Sequence, residues 1–184
     1  MKYVDEYAPA DRSVPMLRMN MVSSLDGAAW VDGRAGGLGG PADQALMQVL
    51  RMFADVILVG AGTVRVEGYQ GELIDEEHKR WRVENGLSEL PRLEVVSRSR
   101  MPLPELLAQL AEEGVTQILC EGGPHLFGSL AALDKIDELC LTIGPLLIGP
   151  GPERITAGVP HTVRRMRFVH AIPDGEFLFL RYAR

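Results

Sequence analysis

Two glycine turns carry the strongest chemical signal in this chain. Gly60-Ala61-Gly62-Thr63 follows the apolar run Val56-Ile57-Leu58-Val59, and Glu121-Gly122-Gly123-Pro124 follows Gln117-Ile118-Leu119-Cys120. A glycine turn at the end of a buried strand exposes backbone N–H groups, and where a helix begins those groups hold a phosphate. Two such turns at the carboxyl ends of strands in one sheet would hold the two phosphates of one dinucleotide. Each turn taken alone is equally an ordinary tight loop, and neither GxGxxG nor GxxxxGK[ST] occurs. Glu121, beside the glycine pair in apolar surroundings, is a candidate for chemistry and equally a structural carboxylate holding the turn. Ser97-Arg98-Ser99 sets two hydroxyls around a guanidinium, a suitable clamp for a phosphate monoester.

Other residues narrow the chemistry. Four histidines, His78, His125, His161 and His170, lack metal-ligand spacing, so no metal site is expected. Cys120 and Cys140 each sit in an apolar run and read as buried, reduced thiols. Asp26-Gly27 reads as an Asx-type turn after the first strand. Gly36-Gly37-Leu38-Gly39-Gly40 reads as a flexible stretch, either a lid over substrate or a plain connection.

These residues need a scaffold that brings strand ends together, and the apolar pattern supplies one. Leu17 to Val22, Val56 to Gly60, Leu93 to Val96 and Gln117 to Cys120 read as buried parallel strands. Helices are expected from Pro41, with Leu46, Val49, Leu50 and Phe53 on one face; on the surface around Glu76 to Val83; over Pro102 to Glu113, stopped by Gly114; and from Pro124 to about Leu133. Leu139 to Ile143, a short piece at Leu146 to Ile148, Phe168 to Ile172 and Phe177 to Tyr182 read as further strands. The last two form a hairpin through Pro173-Asp174-Gly175. The fold class is therefore α/β: a mostly parallel central sheet flanked by helices and finished by a C-terminal antiparallel hairpin. Residues 1–184 read as a single domain preceded by a polar arm at 1–15.

A net charge of −6 argues against a nucleic-acid partner, which needs a broad basic face. The acidic start lacks the apolar core of a leader, and no run of the sequence reaches about 18 apolar residues, so the cytoplasm is expected and a membrane is not.

Taken in order, Leu17-Arg18-Met19-Asn20-Met21-Val22-Ser23-Ser24-Leu25-Asp26-Gly27, Asp55 to Val64 and Cys120 to Pro124 resemble the pyrimidine reductase domain of riboflavin biosynthesis enzymes, whose fold is that of dihydrofolate reductase. The resemblance covers most of residues 15–184. It implies NADPH as hydride donor, with Gly60, Gly62, Thr63 and the turn Gly122, Gly123, Pro124, His125 and Leu126 around the pyrophosphate, and Ser97 and Arg98 near the adenosine phosphate. It implies a cis peptide between Gly122 and Gly123. It implies a small heterocyclic substrate, faced by Glu121 as the catalytic residue and contacted by Arg18, Asn20 and Glu67. It also implies a homodimer formed through the C-terminal strands.

The chain departs from that family at defined places. Glu67-Gly68-Tyr69 stands where Asp-Asn-Pro is usual, Gln70-Gly71 replaces a substrate-phosphate clamp, and Arg100-Met101 joins two elements where a further strand and helix are usual. A pyrimidine reductase resembling the 5-amino-6-(5-phosphoribosylamino)uracil reductases, a dihydrofolate-type reductase and a non-catalytic ligand-binding relative all remain open on these residues. The dihydrofolate-type reading requires a carboxylate aimed at the substrate ring.

Overall fold

The computed structural model describes residues 1–69, 73–97, 99–160 and 163–184. Among them, seven strands form one sheet: β1 Met16–Ser23, β2 Val56–Gly60, β3 Arg92–Val96, β4 Gln117–Cys120, β5 Glu138–Ile143, β6 Arg167–Asp174 and β7 Phe177–Ala183. The spatial order is β3-β2-β4-β1-β5-β7-β6. The strands from β3 to β5 are parallel, and β7 enters antiparallel between β5 and β6. The helices are α1 Val4–Tyr7, α2 Pro41–Phe53, α3 Ala61–Thr63 running into a π-turn Val64–Gly68, α4 Glu76–Glu84, α5 Leu103–Glu112 and α6 Pro124–Ala132.

Both faces of the parallel strands are covered, which is why their sequences read as continuous apolar runs. Period-two alternation divides each strand between two cores. Ile57 and Leu119 pack beneath α2 with Leu46, Val49, Leu50 and Phe53. Val56, Leu58, Cys120, Leu17, Met19 and Met21 face the other way, onto Leu110 of α5 and Leu126, Phe127 and Leu130 of α6. Helix starts and stops follow local chemistry: Pro41 and Pro124 occupy first-turn positions, and Gly114 ends the α5 segment at φ +80°.

β1 lies at the topological switch point, because the chain leaves it toward β2 on one side and later crosses from β4 to β5 on the other. In such sheets the crevice opens at the carboxyl ends of the strands flanking the switch. Those ends are Ser23, Gly60 and Cys120.

The arm at 1–15 is anchored by Tyr3 and Tyr7, which are buried against the α2 core, Tyr7 being the last residue of α1. α4 is a surface helix as expected, with Glu76, Glu77, Arg80, Val83 and Glu84 exposed, and its inner face packs on α2, burying His78, Lys79 and Arg82, the last donating to the carbonyls of Met52 at 2.8 Å and Ala54 at 2.5 Å. Those carbonyls belong to the end of α2, which has no helical partner for them. Leu146 to Ile148 is not a strand; its backbone is held by the Leu25 N–H at Leu146 O and by the Asp26 carboxylate, which accepts from the amides of Ile148 and Gly149. The Ser24 hydroxyl, and after it these two amides, hold the Asp26 carboxyl down at about 2.

The glycine stretch is also tied down rather than free. Leu38 is buried in it, and a Cβ on Gly144 would stand 2.4 Å from the Leu38 carbonyl. Gly40 leaves room in the same way for the Phe177 ring.

Candidate active site

The two glycine turns lie side by side. The Gly60 N–H donates to Gly122 O at 2.7 Å, and the Glu121 N–H donates to Leu58 O at 3.0 Å, so the turn after β4 continues the sheet's pairing past its last residue. A Cβ on Gly60 would sit 3.5 Å from the Gly123 nitrogen, and one on Gly123 would sit 2.8 Å from Thr63 Oγ1. The Gly122-Gly123 peptide is cis, and Gly122 has φ +91°, a left-handed conformation that favours glycine. Larger residues at 60 or 123 would fill the space in which the turns converge.

Three adjoining cavities follow this crevice. The first, about 270 Å³, is largely apolar and lies between Met21, Ala29 and Trp30 on one side and Thr63, Gly123 and Leu126 on the other. It shares Gly60, Gly62, His125 and Leu126 with a longer trough of about 820 Å³, whose far wall is Ser97, Ser99 and Arg100 leading straight into α5. It shares Met21, Thr63, Glu67 and Glu121 with a polar cavity of about 360 Å³ under α2, lined also by Asn20, Asp43, Gln44, Arg51 and Tyr69.

Glu121 stands at the junction of the first and the polar cavity and is fully engaged. Arg51 donates to it twice, Nε to Oε1 at 2.6 Å and Nη2 to Oε2 at 2.7 Å, and the Tyr69 hydroxyl donates to Oε2 at 2.7 Å. Arg51 Nη1 reaches Leu73 O at 2.7 Å, so the same guanidinium also ties the chain after Tyr69 to α2. Burial works against the charge on Arg51, but the bidentate carboxylate more than offsets it and holds the guanidinium above its ordinary pKa. Burial, then the negative charge of Glu121, push the Tyr69 phenol up, so it remains a donor at every physiological pH.

Asp43, in the first turn of α2, puts a second carboxyl into the polar cavity. Burial raises its pKa, against the opposing effect of the Thr142 hydroxyl. Ionising this group therefore costs folding free energy: the penalty is absent below the ordinary value of 3.8 and present in full above the raised one. Asp43→Asn is accordingly expected to raise the melting temperature at about pH 7 and leave it unchanged near about pH 3. A variant that melts below the wild type at neutral pH would contradict this assignment. Nearby, Asn20 Oδ1 is buried without a hydrogen-bond partner among the described residues.

The residues expected from sequence are distributed as follows. Gly60, Gly62, Thr63, Glu67, Glu121, Gly123, Pro124, His125 and Leu126 all line the first cavity, and Gly122 backs it through its bond to Gly60. Asn20 faces the polar cavity. Glu67 Oε1 accepts from the Ala35 N–H at 2.7 Å, fixing the start of the glycine stretch above the cavity. Ser97 lines the long trough and Arg98 lies outside the described residues.

Arg18 lines none of these three cavities. It is buried against Glu138, its register partner on β5, and Glu138 also receives Arg181 at 2.7 Å. Arg18 sits two residues earlier on β1 than Asn20 and so falls short of the carboxyl end, where the crevice opens. It is engaged in an ion pair with Glu138 and lies away from the three cavities at which the other expected site residues gather. Arg51, Tyr69, Asp43 and Trp30 were not singled out as site residues by sequence. The run Val49-Leu50-Arg51-Met52-Phe53 holds the available signal for one of them, a lone charge inside an apolar helix segment.

The sheet order, the C-terminal hairpin and the crevice define an α/β protein of the dihydrofolate reductase-like fold. Accordingly, it superposes on a dihydrofolate reductase from Enterococcus faecalis complexed with NADP(H), with TM-score 0.61 at 14% identity over 91% of this chain and 95% of that one. More specifically, the family model described as the RibD C-terminal domain matches residues 15–99 and 73–180, and the chain belongs to that family. A pyrimidine reductase-like protein from Corynebacterium diphtheriae matches with TM-score 0.87 and 22% identity, covering 99% of this chain and 97% of that chain. The riboflavin biosynthesis protein RibD of Bacillus amyloliquefaciens is 40% identical over 50 residues, which is 27% of this chain and 14% of that protein.

Proposed function

We propose that this protein is an NADPH-dependent reductase of a pyrimidine-type heterocycle, similar in reaction to the 5-amino-6-(5-phosphoribosylamino)uracil reductases. The observation that carries the reading is the convergence of the two glycine turns on one apolar cavity, with Glu121 and Glu67 where that cavity meets a polar one. When bound, NADPH supplies a hydride. Gly60, Gly62, Thr63 and the amides at the start of α6 would hold its diphosphate, and Ser97 would stand near the adenosine phosphate, with Arg65 and Arg100 on the same trough.

The chain's own residues position the partner. Trp30, Met21 and Leu126 exclude water from the first cavity, where a hydride must travel a short distance between aligned carbons. Glu121 acts by orientation: with both oxygens bonded, it fixes Arg51 and the Tyr69 hydroxyl along the wall of the polar cavity. A dihydrofolate-type substrate is a second reading, favoured by the Asp43 carboxyl on that wall. We also propose a cytoplasmic location, in keeping with two buried free thiols, and a homodimer along the outer hairpin, where Phe168 and Leu178 are exposed.

Incubation with NADPH deuterated at the transferable position, with an aminopyrimidine riboside or its phosphate in one arm and dihydrofolate in the other, tests the reaction. Deuterium in the reduced product of either arm, on the ribityl carbon bonded to nitrogen in the first and on the pterin ring in the second, read by mass spectrometry, is the expected result. NADPH binding without transfer in any arm would overturn the enzymatic reading.

A further inference from the structure

We infer that the polar cavity takes a substrate that carries no phosphate or other anionic group: an uncharged or cationic nitrogen heterocycle presenting N–H donors. The inference rests on the reading that this cavity holds the hydride acceptor, and it narrows the class of acceptor.

Charge carries the argument. Three carboxyl groups, Asp43, Glu67 and Glu121, line the cavity, against the single guanidinium of Arg51. Arg51 spends its charge on Glu121, which it holds through two hydrogen bonds. Asp43 and Glu67 have no ion-pair partner among the described residues. An anionic ligand would therefore meet two uncompensated carboxylates in a partly desolvated space, where like charges repel far more strongly than in water.

The hydrogen-bonding groups point the same way. Asn20 contributes a buried carbonyl oxygen with no partner among the described residues, Glu67 Oε2 lies beside the glycine stretch, and Asp43 adds its carboxyl. These are acceptors, and a buried acceptor left unpaired is costly, so the ligand that best completes the cavity brings donors. Burial also raises Asp43's affinity for its proton, against the opposing effect of the Thr142 hydroxyl. A volume of about 360 Å³ suits a one- or two-ring heterocycle.

Calorimetric titration of the whole protein with 2,4-diaminopyrimidine and with ribose 5-phosphate tests the inference, each alone and with NADPH present. Diaminopyrimidine is expected to bind at least about tenfold more tightly than ribose 5-phosphate, and Asp43→Asn and Glu67→Gln should each narrow that gap by about tenfold. Ribose 5-phosphate binding as tightly as diaminopyrimidine would overturn the inference, as would failure of both probes to bind or a gap unchanged in both variants. The NADPH titration is read separately. Loss of NADPH binding with the probe preference intact would remove the reductase reading and leave the charge selection standing.

Discussion

Arg51→Met is expected to lower the stability of the fold by about 3–5 kcal/mol, the range found when one partner of a buried ion pair is removed. Glu121 is almost fully enclosed, and its two oxygens receive three hydrogen bonds, two of them from Arg51. Without the guanidinium the carboxylate must take up a proton or draw in water, and Leu73 O loses the shorter of its two donors, keeping Gln48 Nε2 at 3.3 Å. Replacing both partners, as Arg51→Met with Glu121→Leu, should recover most of the loss, because two apolar side chains of similar volume leave no charge behind. Denaturant midpoints of the two singles and the double provide the measurement. A single variant within about 1 kcal/mol of the wild type would show that the pair does not hold the junction of the two cavities.

Gly123→Val should have the largest effect on binding, a loss of NADPH affinity of at least about a hundredfold, or close to 3 kcal/mol. Gly123 has φ −83°, so its backbone accepts a side chain. The obstruction lies in space: the added carbon would reach within 2.8 Å of Thr63 Oγ1 and project into the cavity between the two turns. Fluorescence titration with NADPH reads the loss, and circular dichroism of the same sample establishes that the sheet is retained. Unchanged affinity in a folded Gly123→Val protein would place the dinucleotide elsewhere.

How far the sequence carries this account depends on the range of the interactions involved. The parallel strands were legible because burial on both faces writes a continuous apolar run, as in Val56-Ile57-Leu58-Val59. The twin turns were legible because their glycines leave space that only the opposite turn uses, Gly60 against Gly122 and Gly123 against Thr63. The edge hairpin is seen with its turn one step later than expected, at Gly175-Glu176, since Pro173 and Asp174 still pair with Leu178 and Phe177.

Long-range electrostatics were not legible. Arg18 and Arg51 are both charges within apolar runs, and of the two only Arg18 is assigned to a ligand, through the resemblance. Their roles are decided by partners far along the chain, Glu138 for one and Glu121 for the other, and by the strand end each lies nearest. Asp43 illustrates the same limit, because a first-turn carboxylate reads as a helix-dipole partner until β5 places Thr142 opposite it. Tyr3 and Tyr7 escaped notice because the acidic residues between them hide two aromatic anchors.

The central claim is that the dihydronicotinamide lies in the apolar cavity walled by Trp30 and Gly123. Trp30 lines that cavity, whereas Trp81 of α4, the other tryptophan, packs edge-on against Phe53 of α2. Tryptophan excitation of the NADPH complex therefore tests the claim, through energy transfer to the nicotinamide. Strong sensitised nicotinamide emission that survives Trp81→Phe and is lost in Trp30→Phe is the result this account predicts; emission lost with Trp81 and retained without Trp30, or no NADPH binding at millimolar concentration, would contradict it.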